Sequence, residues 1–167
     1  MDGTSRLHLT ATSAEDTARI ATRLGQGLAA GDVVLLDGPV GAGKSVFARA
    51  LIQSRLADLG RWEEVPSPSF TLVQTYDLGD VTLWHADLYR LSDPQDFIEL
   101  GLDQAFEDAI CLVEWAERLG PLTPPDALHL QIGQGAAPDT RALQFRAAHA
   151  RWAEPLAALA TSMAEGA

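Results

Sequence analysis

The chain has 167 residues, 47% of them apolar and 21% charged, which are the proportions of a soluble globular protein and suit one domain spanning 1–167. Its 23 acidic residues against 12 basic ones give a net charge of −11, so tight and direct gripping of a nucleic-acid backbone is disfavoured and a protein partner is the simpler expectation. No apolar run approaches the ~20 residues of a membrane helix, no basic cluster leads into an apolar stretch near the first residues, and the single cysteine, Cys111, excludes an internal disulfide and a cysteine-rich zinc site; a cytoplasmic address without membrane contact is expected.

In chain order, Thr12 to Ala30 reads as a first helix. Thr12 and Glu15 have the spacing of a capping box, Ile20, Leu24 and Leu28 recur on one face, and Gly31 is the stop. Val33–Asp37 is a short leucine and β-branched run, hence a buried strand. Ser45 to Leu59 reads as a second helix, with Val46, Phe47, Ala50, Leu51 and Leu56 on its apolar side and Gly60 after it.

A proline-marked loop, Glu64–Phe70, leads into a hairpin whose two strands meet at Leu78–Asp80, with Gly79 in the turn. A short helix around Pro94–Glu99 is capped by Ser92 or Asp93. Ala109–Trp115 ("AICLVEW") is a second buried strand. "ALHLQIGQ" and "TRALQFRA" are two later strands, and Ala150 to Met163 is a closing helix weakened by Pro155. Helices between strands, with one hairpin among them, predict an α/β fold. With the G-x-x-x-x-G-K-[ST] pattern at Gly38–Ser45 between the first strand and the second helix, the expected plan is three layers like a P-loop NTPase, a mixed, mostly parallel central sheet flanked by helices.

The stretch between the first strand and the second helix carries the chemistry. Gly38-Pro39-Val40-Gly41-Ala42-Gly43-Lys44-Ser45 matches G-x-x-x-x-G-K-[ST], the phosphate-binding loop, and Val46 continues it into the helix. Such a loop wraps backbone N–H groups around a β-phosphate, with the helix dipole aimed at the same anion. Gly41 and Gly43 allow that approach because no Cβ intervenes. Eleven of the twelve basic residues are arginine, and the only lysine is Lys44. A slim ammonium reaches β- and γ-phosphates where arginine's broad fork does not substitute well.

Ser45 offers a hydroxyl to Mg²⁺, which also needs a carboxylate nearby. Asp87 closes "VTLWHAD" and Glu114 closes "AICLVE". An acid directly after buried apolar residues is costly unless compensated, so either is a candidate for metal binding or water positioning; the alternative is an acid that reaches solvent at a strand end. Asp37 reads as turn-stabilising. Ser67–Thr71 ("SPSFT") is either a γ-phosphate-sensing switch or an ordinary proline turn. The four histidines (His8, His85, His129, His149) lack ligand spacing and read as core or surface residues. Cys111 reads as inert core, Arg90 as a phosphate contact or, in preference, the partner of a nearby acid, and Trp115 as core filler or contact surface.

Taken together, "GPVGAGKS", "SPSFTLVQTY", "HADLYRL", "FIELGLDQAF" and "AICLVEWAE" resemble, in order and spacing, the bacterial TsaE (YjeE) family over about residues 10 to 120. These are small ATPases serving the synthesis of threonylcarbamoyladenosine in tRNA. The resemblance implies that ATP and Mg²⁺ are the cofactors, that Ser45 and Glu114 ligate the metal and that Asp87 is needed for hydrolysis. It also favours the switch reading of Ser67–Thr71 and makes Trp115 a functional candidate. Ser45 and Ser69 stand where the family usually has threonine; the hydroxyl is kept. The adenine pocket matches no motif, with the segment at Thr12 and Ser13 as its candidate. Protein partners of the TsaD and TsaB type are implied, with tRNA reached only indirectly and ATP hydrolysis driving or resetting the complex.

Two other readings are open. A small-molecule P-loop kinase needs an arginine-bearing lid, and between residues 91 and 140 the chain has only Arg118. A nucleotide-gated binding module with negligible turnover shades into the ATPase reading, since a partner can supply the missing catalytic element.

Overall fold

A computed structural model describes residues 4–165. Seven strands form one sheet in the order β1-β7-β6-β2-β5-β4-β3. They are β1 (Ser5–Ala11), β2 (Val33–Asp37), β3 (Val73–Asp77), β4 (Thr82–Asp87), β5 (Ile110–Glu114), β6 (Leu128–Gln134) and β7 (Arg141–Ala147). The pairs β6–β2, β2–β5 and β5–β4 are parallel, whereas β1–β7, β7–β6 and β4–β3 are antiparallel. The expected mixed sheet is therefore parallel in its middle and antiparallel at both flanks. The central strands β2 and β5 are apolar on both faces, as a sheet covered on both sides requires.

One face packs against α1 (Ala14–Gln26), α2 (Lys44–Asp58) and α5 (Ala153–Glu165), through Ile20, Leu24, Phe47, Leu51, Leu156 and Leu159 among others. The other packs against α3 (Pro94–Glu99), α4 (Leu102–Asp108) and a 3₁₀ stretch at Ala116–Leu122, through Phe97, Leu102 and Leu119. Each buried Leu or Phe contributes about 1.5–3 kcal/mol relative to exposure. This second layer stops short of the antiparallel flank, where Arg6, His8, Gln131, Gln144 and Arg146 stay exposed around a concavity of about 530 Å³.

Local chemistry shifts several boundaries from the sequence expectation. Ser13, not Thr12, caps α1: its hydroxyl accepts from Asp16 N–H, while the Asp16 carboxylate turns back to Thr12. The helix ends at Gln26 because Arg55 of α2 takes the carbonyls of Gly25 and Leu28, each at 2.8 Å. Gly25 also lets α2 pack close, since a Cβ there would lie 2.7 Å from Leu51 Cγ. The strand β1 and the helix α4 were not expected at all. The hairpin, the helix at Pro94–Glu99 and its Asp93 cap match the reading. The closing helix begins at Ala153 after a 3₁₀ turn, so Pro155 falls in its first turn and breaks no helical hydrogen bond. Near that helix, Arg151 grips the carboxylate of buried Asp32 and so ties the start of β2 to the end of the chain.

Candidate functional site

Parallel strands deliver their C-terminal ends to one edge of the sheet, and the site is built there. The loop leaving β2 turns through Gly38 and Gly43, both at positive φ, and enters α2 at Lys44. Gly38 has no room for a side chain: a Cβ would sit 2.2 Å from the Ile132 carbonyl of β6. Gly41 also has positive φ but open space around it. The main-chain N–H groups of the first turn of α2 have no carbonyl partner within the helix and face the loop. Arg141 of β7 braces the loop from behind by donating to the Ala42 carbonyl at 3.1 Å.

Lys44 is nearly buried, at 6% exposure. Its Nζ donates to the Gly38 carbonyl at 2.6 Å and lies 3.6 Å from the centre of the Trp115 ring. Burial lowers its pKa, and the carboxylates of Glu114, Glu117, Asp87 and Asp37 act against that shift. Trp115 holds its place by left-handed backbone geometry, φ 58°, directly after β5. It is stacked at a tilt on Tyr89, with ring centres 4.9 Å apart. Asp37 fixes the same turn by accepting from Ala116 N–H at 3.1 Å. The turn that Asp37 stabilises is therefore the one after β5, not its own. Burial, followed by the neighbouring Glu117 carboxyl, pushes its pKa up to about 6.

Register places Asp87 of β4 beside Glu114 of β5. Glu114 Oε1 stands 3.4 Å from the Ser45 hydroxyl, and Oε2 is 2.7 Å from His85 Nε2. Asp87 accepts from Tyr89 N–H at 2.9 Å and from the Ser69 hydroxyl at 3.2 Å. That second bond brings Ser67–Thr71 into the site. The segment is held further by the Ser67–Ser69 contact at 2.8 Å and by Arg90, which donates to the carbonyls of Ser69 and Phe70. Arg90 thus clamps backbone instead of pairing with an acid as its sequence context suggested.

A cleft of about 460 Å³ collects these groups. Of the residues singled out in the sequence, Val40, Gly41, Gly43, Lys44, Ser45, Val46, Asp87, Glu114 and Trp115 line it, together with Ser69 of the proline loop. Gly38, Pro39 and Ala42 shape the loop instead: Gly38 against β6, Pro39 by accepting Ala42 N–H, and Ala42 with its side chain in the core. Thr12 and Ser13 are engaged in the α1 cap and do not line this cleft. His85 was missed. The available signal was His85-x-Asp87 within a strand, which sends both side chains to the same face as Glu114.

Chemically, the cleft presents an anion cradle and a hard-cation donor set side by side. Unpaired helix N–H groups and an ammonium suit a phosphate chain. Ser45, Glu114 and Asp87 supply only oxygen, which suits Mg²⁺ bound by one or two carboxylates plus phosphate and water. Among the described residues no group of three acidic, histidine or cysteine side chains forms an all-protein metal cage. The residues present therefore fit a magnesium–nucleotide complex.

The family model for the threonylcarbamoyl adenosine biosynthesis protein TsaE matches residues 11–143. The tRNA threonylcarbamoyladenosine biosynthesis protein TsaE of Rickettsia conorii is 37% identical over 123 residues, covering 74% of this chain and 69% of that one. The protein of the same description from Treponema pallidum is 41% identical over 113 residues, covering 67% and 80%. A crystal structure of Bacillus subtilis YdiB superimposes with a TM-score of 0.78 at 28% identity, covering 95% of this chain and 97% of that one. No helix among the described residues is long and apolar enough to cross a membrane.

Proposed function

The chain belongs to the TsaE family of tRNA threonylcarbamoyladenosine biosynthesis, and on that footing we propose that it is a magnesium-dependent ATPase whose cycle drives or resets the protein complex making the modification. The observation that carries the reading is the convergence of the chain's only lysine, an open glycine loop and the Ser45–Glu114 pair in one cleft.

The loop from Gly38 to Val46 binds the phosphates through its N–H groups and the N-terminal end of α2. Lys44 exchanges its Gly38 carbonyl and Trp115 ring for phosphate oxygens, a favourable exchange for a partly desolvated ammonium. Ser45 and Glu114, with Asp87 beside them, would hold Mg²⁺, which would supply charge neutralisation for the phosphates. Asp87 is aimed by Tyr89 N–H and Ser69, so its carboxylate orients the attacking water and takes its proton. Ser69 also makes Ser67–Thr71 a sensor, because movement of that segment changes the hold on Asp87. The phosphoryl group passes to water.

The acidic chain docks on proteins of the TsaD and TsaB type in the cytoplasm and meets tRNA only through them. Turnover by the isolated chain is slow, and a partner that completes the site can raise it by roughly 10³–10⁵-fold. The test is phosphate release from Mg-ATP by the chain alone and with those partners added. Slow turnover that rises on addition supports the reading. Turnover indifferent to partners but dependent on a small phosphoryl acceptor identifies a kinase and overturns it.

A further inference from the structure

Glu114 is held from two sides, and only one of them belongs to the nucleotide loop. Its Oε1 faces the Ser45 hydroxyl at 3.4 Å; its Oε2 is 2.7 Å from His85 Nε2. His85 and Glu114 are 1% and 2% exposed, so water cannot replace either in this contact. His85 Nδ1 is also buried and has no hydrogen-bond partner. The ring therefore makes one hydrogen bond, and that bond ends on Glu114. Nε2 is the ring atom that meets the carboxylate, and it donates there when it carries the proton.

Backbone register explains how the two meet. On the parallel β4–β5 pair His85 stands opposite Leu112 and Asp87 opposite Glu114. His85 to Glu114 is thus a diagonal neighbour on one face, within reach of two long side chains. Without that bond only the 3.4 Å contact with Ser45 orients the Glu114 carboxyl about its last torsion, which is broad and two-fold.

We propose that His85 is a positioning residue: it clamps Oε2 of Glu114 so that Oε1 is presented, beside Ser45, to the divalent cation. This rests on the magnesium–nucleotide reading of the cleft. His85 touches neither nucleotide nor metal. It acts through the ligand's orientation, and outer partners of this kind typically set metal affinity by about 10–100-fold.

The test uses the full chain and a fluorescent ATP analogue, titrated with and without magnesium, so that no turnover is needed. In the unaltered chain magnesium tightens analogue binding. His85→Leu is expected to raise the magnesium concentration for half-maximal tightening by about tenfold or more, while magnesium-free binding stays the same. His85→Gln, whose amide donor stands near the place of Nε2, should recover most of the loss. Where His85→Leu fails to fold, as judged by thermal unfolding, His85→Asn takes its place, its amide being too short to reach Glu114. A magnesium titration of either variant that superimposes on the unaltered chain overturns the proposal. So does an equal loss of binding with and without magnesium, which marks a packing role. If magnesium has no effect on the unaltered chain, the reading of the cleft itself falls, and His85 with it.

Discussion

Replacing Gly38 with alanine tests the build of the nucleotide loop most directly. At φ +148° this residue lies outside the range of ordinary L side chains, and its added Cβ would meet the Ile132 carbonyl at 2.2 Å. Real Cβ contacts essentially never fall below 3.0 Å, so the loop and β6 must part by at least the 0.8 Å difference. Backbone strain of this kind costs about 1–3 kcal/mol and overpacking a similar amount. A total of about 4 kcal/mol lowers the melting temperature by roughly 8–16 °C for a chain of this size. If the loop relieves the clash by moving, the loss appears in nucleotide binding and turnover instead, because the loop's N–H groups no longer converge on the phosphates and a misplacement approaching 1 Å can cost about 10²-fold in rate. Gly41→Ala is the control: its φ is also positive, but no atom lies within 4 Å of the added methyl. In stability it should lose only the left-handed penalty, about 1–2 kcal/mol; it is a control for melting alone, because Gly41 lines the nucleotide cleft. Thermal unfolding of both variants and fluorescent-nucleotide titration of Gly38→Ala decide the matter. If Gly38→Ala binds like the unaltered chain and melts no lower than Gly41→Ala, the close approach to β6 does not shape the loop.

Three further outcomes are expected. Nucleotide binding should draw Lys44 off the Trp115 ring and so shift tryptophan emission; the shift should vanish in Trp115→Phe, and its persistence there would assign it to Trp62, Trp84 or Trp152. The Asp37 carboxyl, pushed up to about 6 from its ordinary 3.8 mainly by burial, keeps a proton in the folded chain at pH values where the unfolded chain has lost it. It therefore contributes stability that is fully present below pH 3.8 and disappears as pH rises through about 6. Asp37→Asn should flatten that decline in denaturant titrations between these values, and unchanged slopes would deny the linkage. Arg90→Ala removes both clamps on the Ser69–Phe70 backbone, so cleavage by chymotrypsin at Phe70, which is 88% exposed, should speed up severalfold; an equal cleavage rate would show that the segment is held by other contacts.

What could be read in the sequence was whatever has a strong local signature. The loop motif is written in glycines and one lysine, and β2 and β5 are continuous apolar runs because helices cover both their faces. The strand β1 was illegible for the opposite reason. Arg6, His8 and Thr10 face outward from a half-covered flank, so its alternation looks like polar terminal sequence. The short α4 hides behind Gly101, whose left-handed conformation starts the helix where a stop would normally be read. His85 and Arg90 take their roles from partners 29 and 20 or 21 residues away, through strand register and a carbonyl clamp. No spacing rule covers Arg90's clamp, and the His85-x-Asp87 alternation puts His85 on a face of the sheet without naming its partner. Trp115 could be flagged but not interpreted, since its meeting with Lys44 depends on how β5 exits beside β2.

The last two strands carry no recognisable motif, yet they finish the site. Ile132 of β6 walls in Gly38, and Arg141 of β7 holds the Ala42 carbonyl. Among the described residues strand β1 pairs only with β7, Ser5 standing opposite Ala147, so the first strand in chain order joins the sheet through the seventh. A nascent chain that has emerged as far as Leu122 thus owns every motif residue but lacks the wall behind the loop. Truncation before β6 would therefore keep the motif intact and leave Gly38 and the Ala42 carbonyl without their backing.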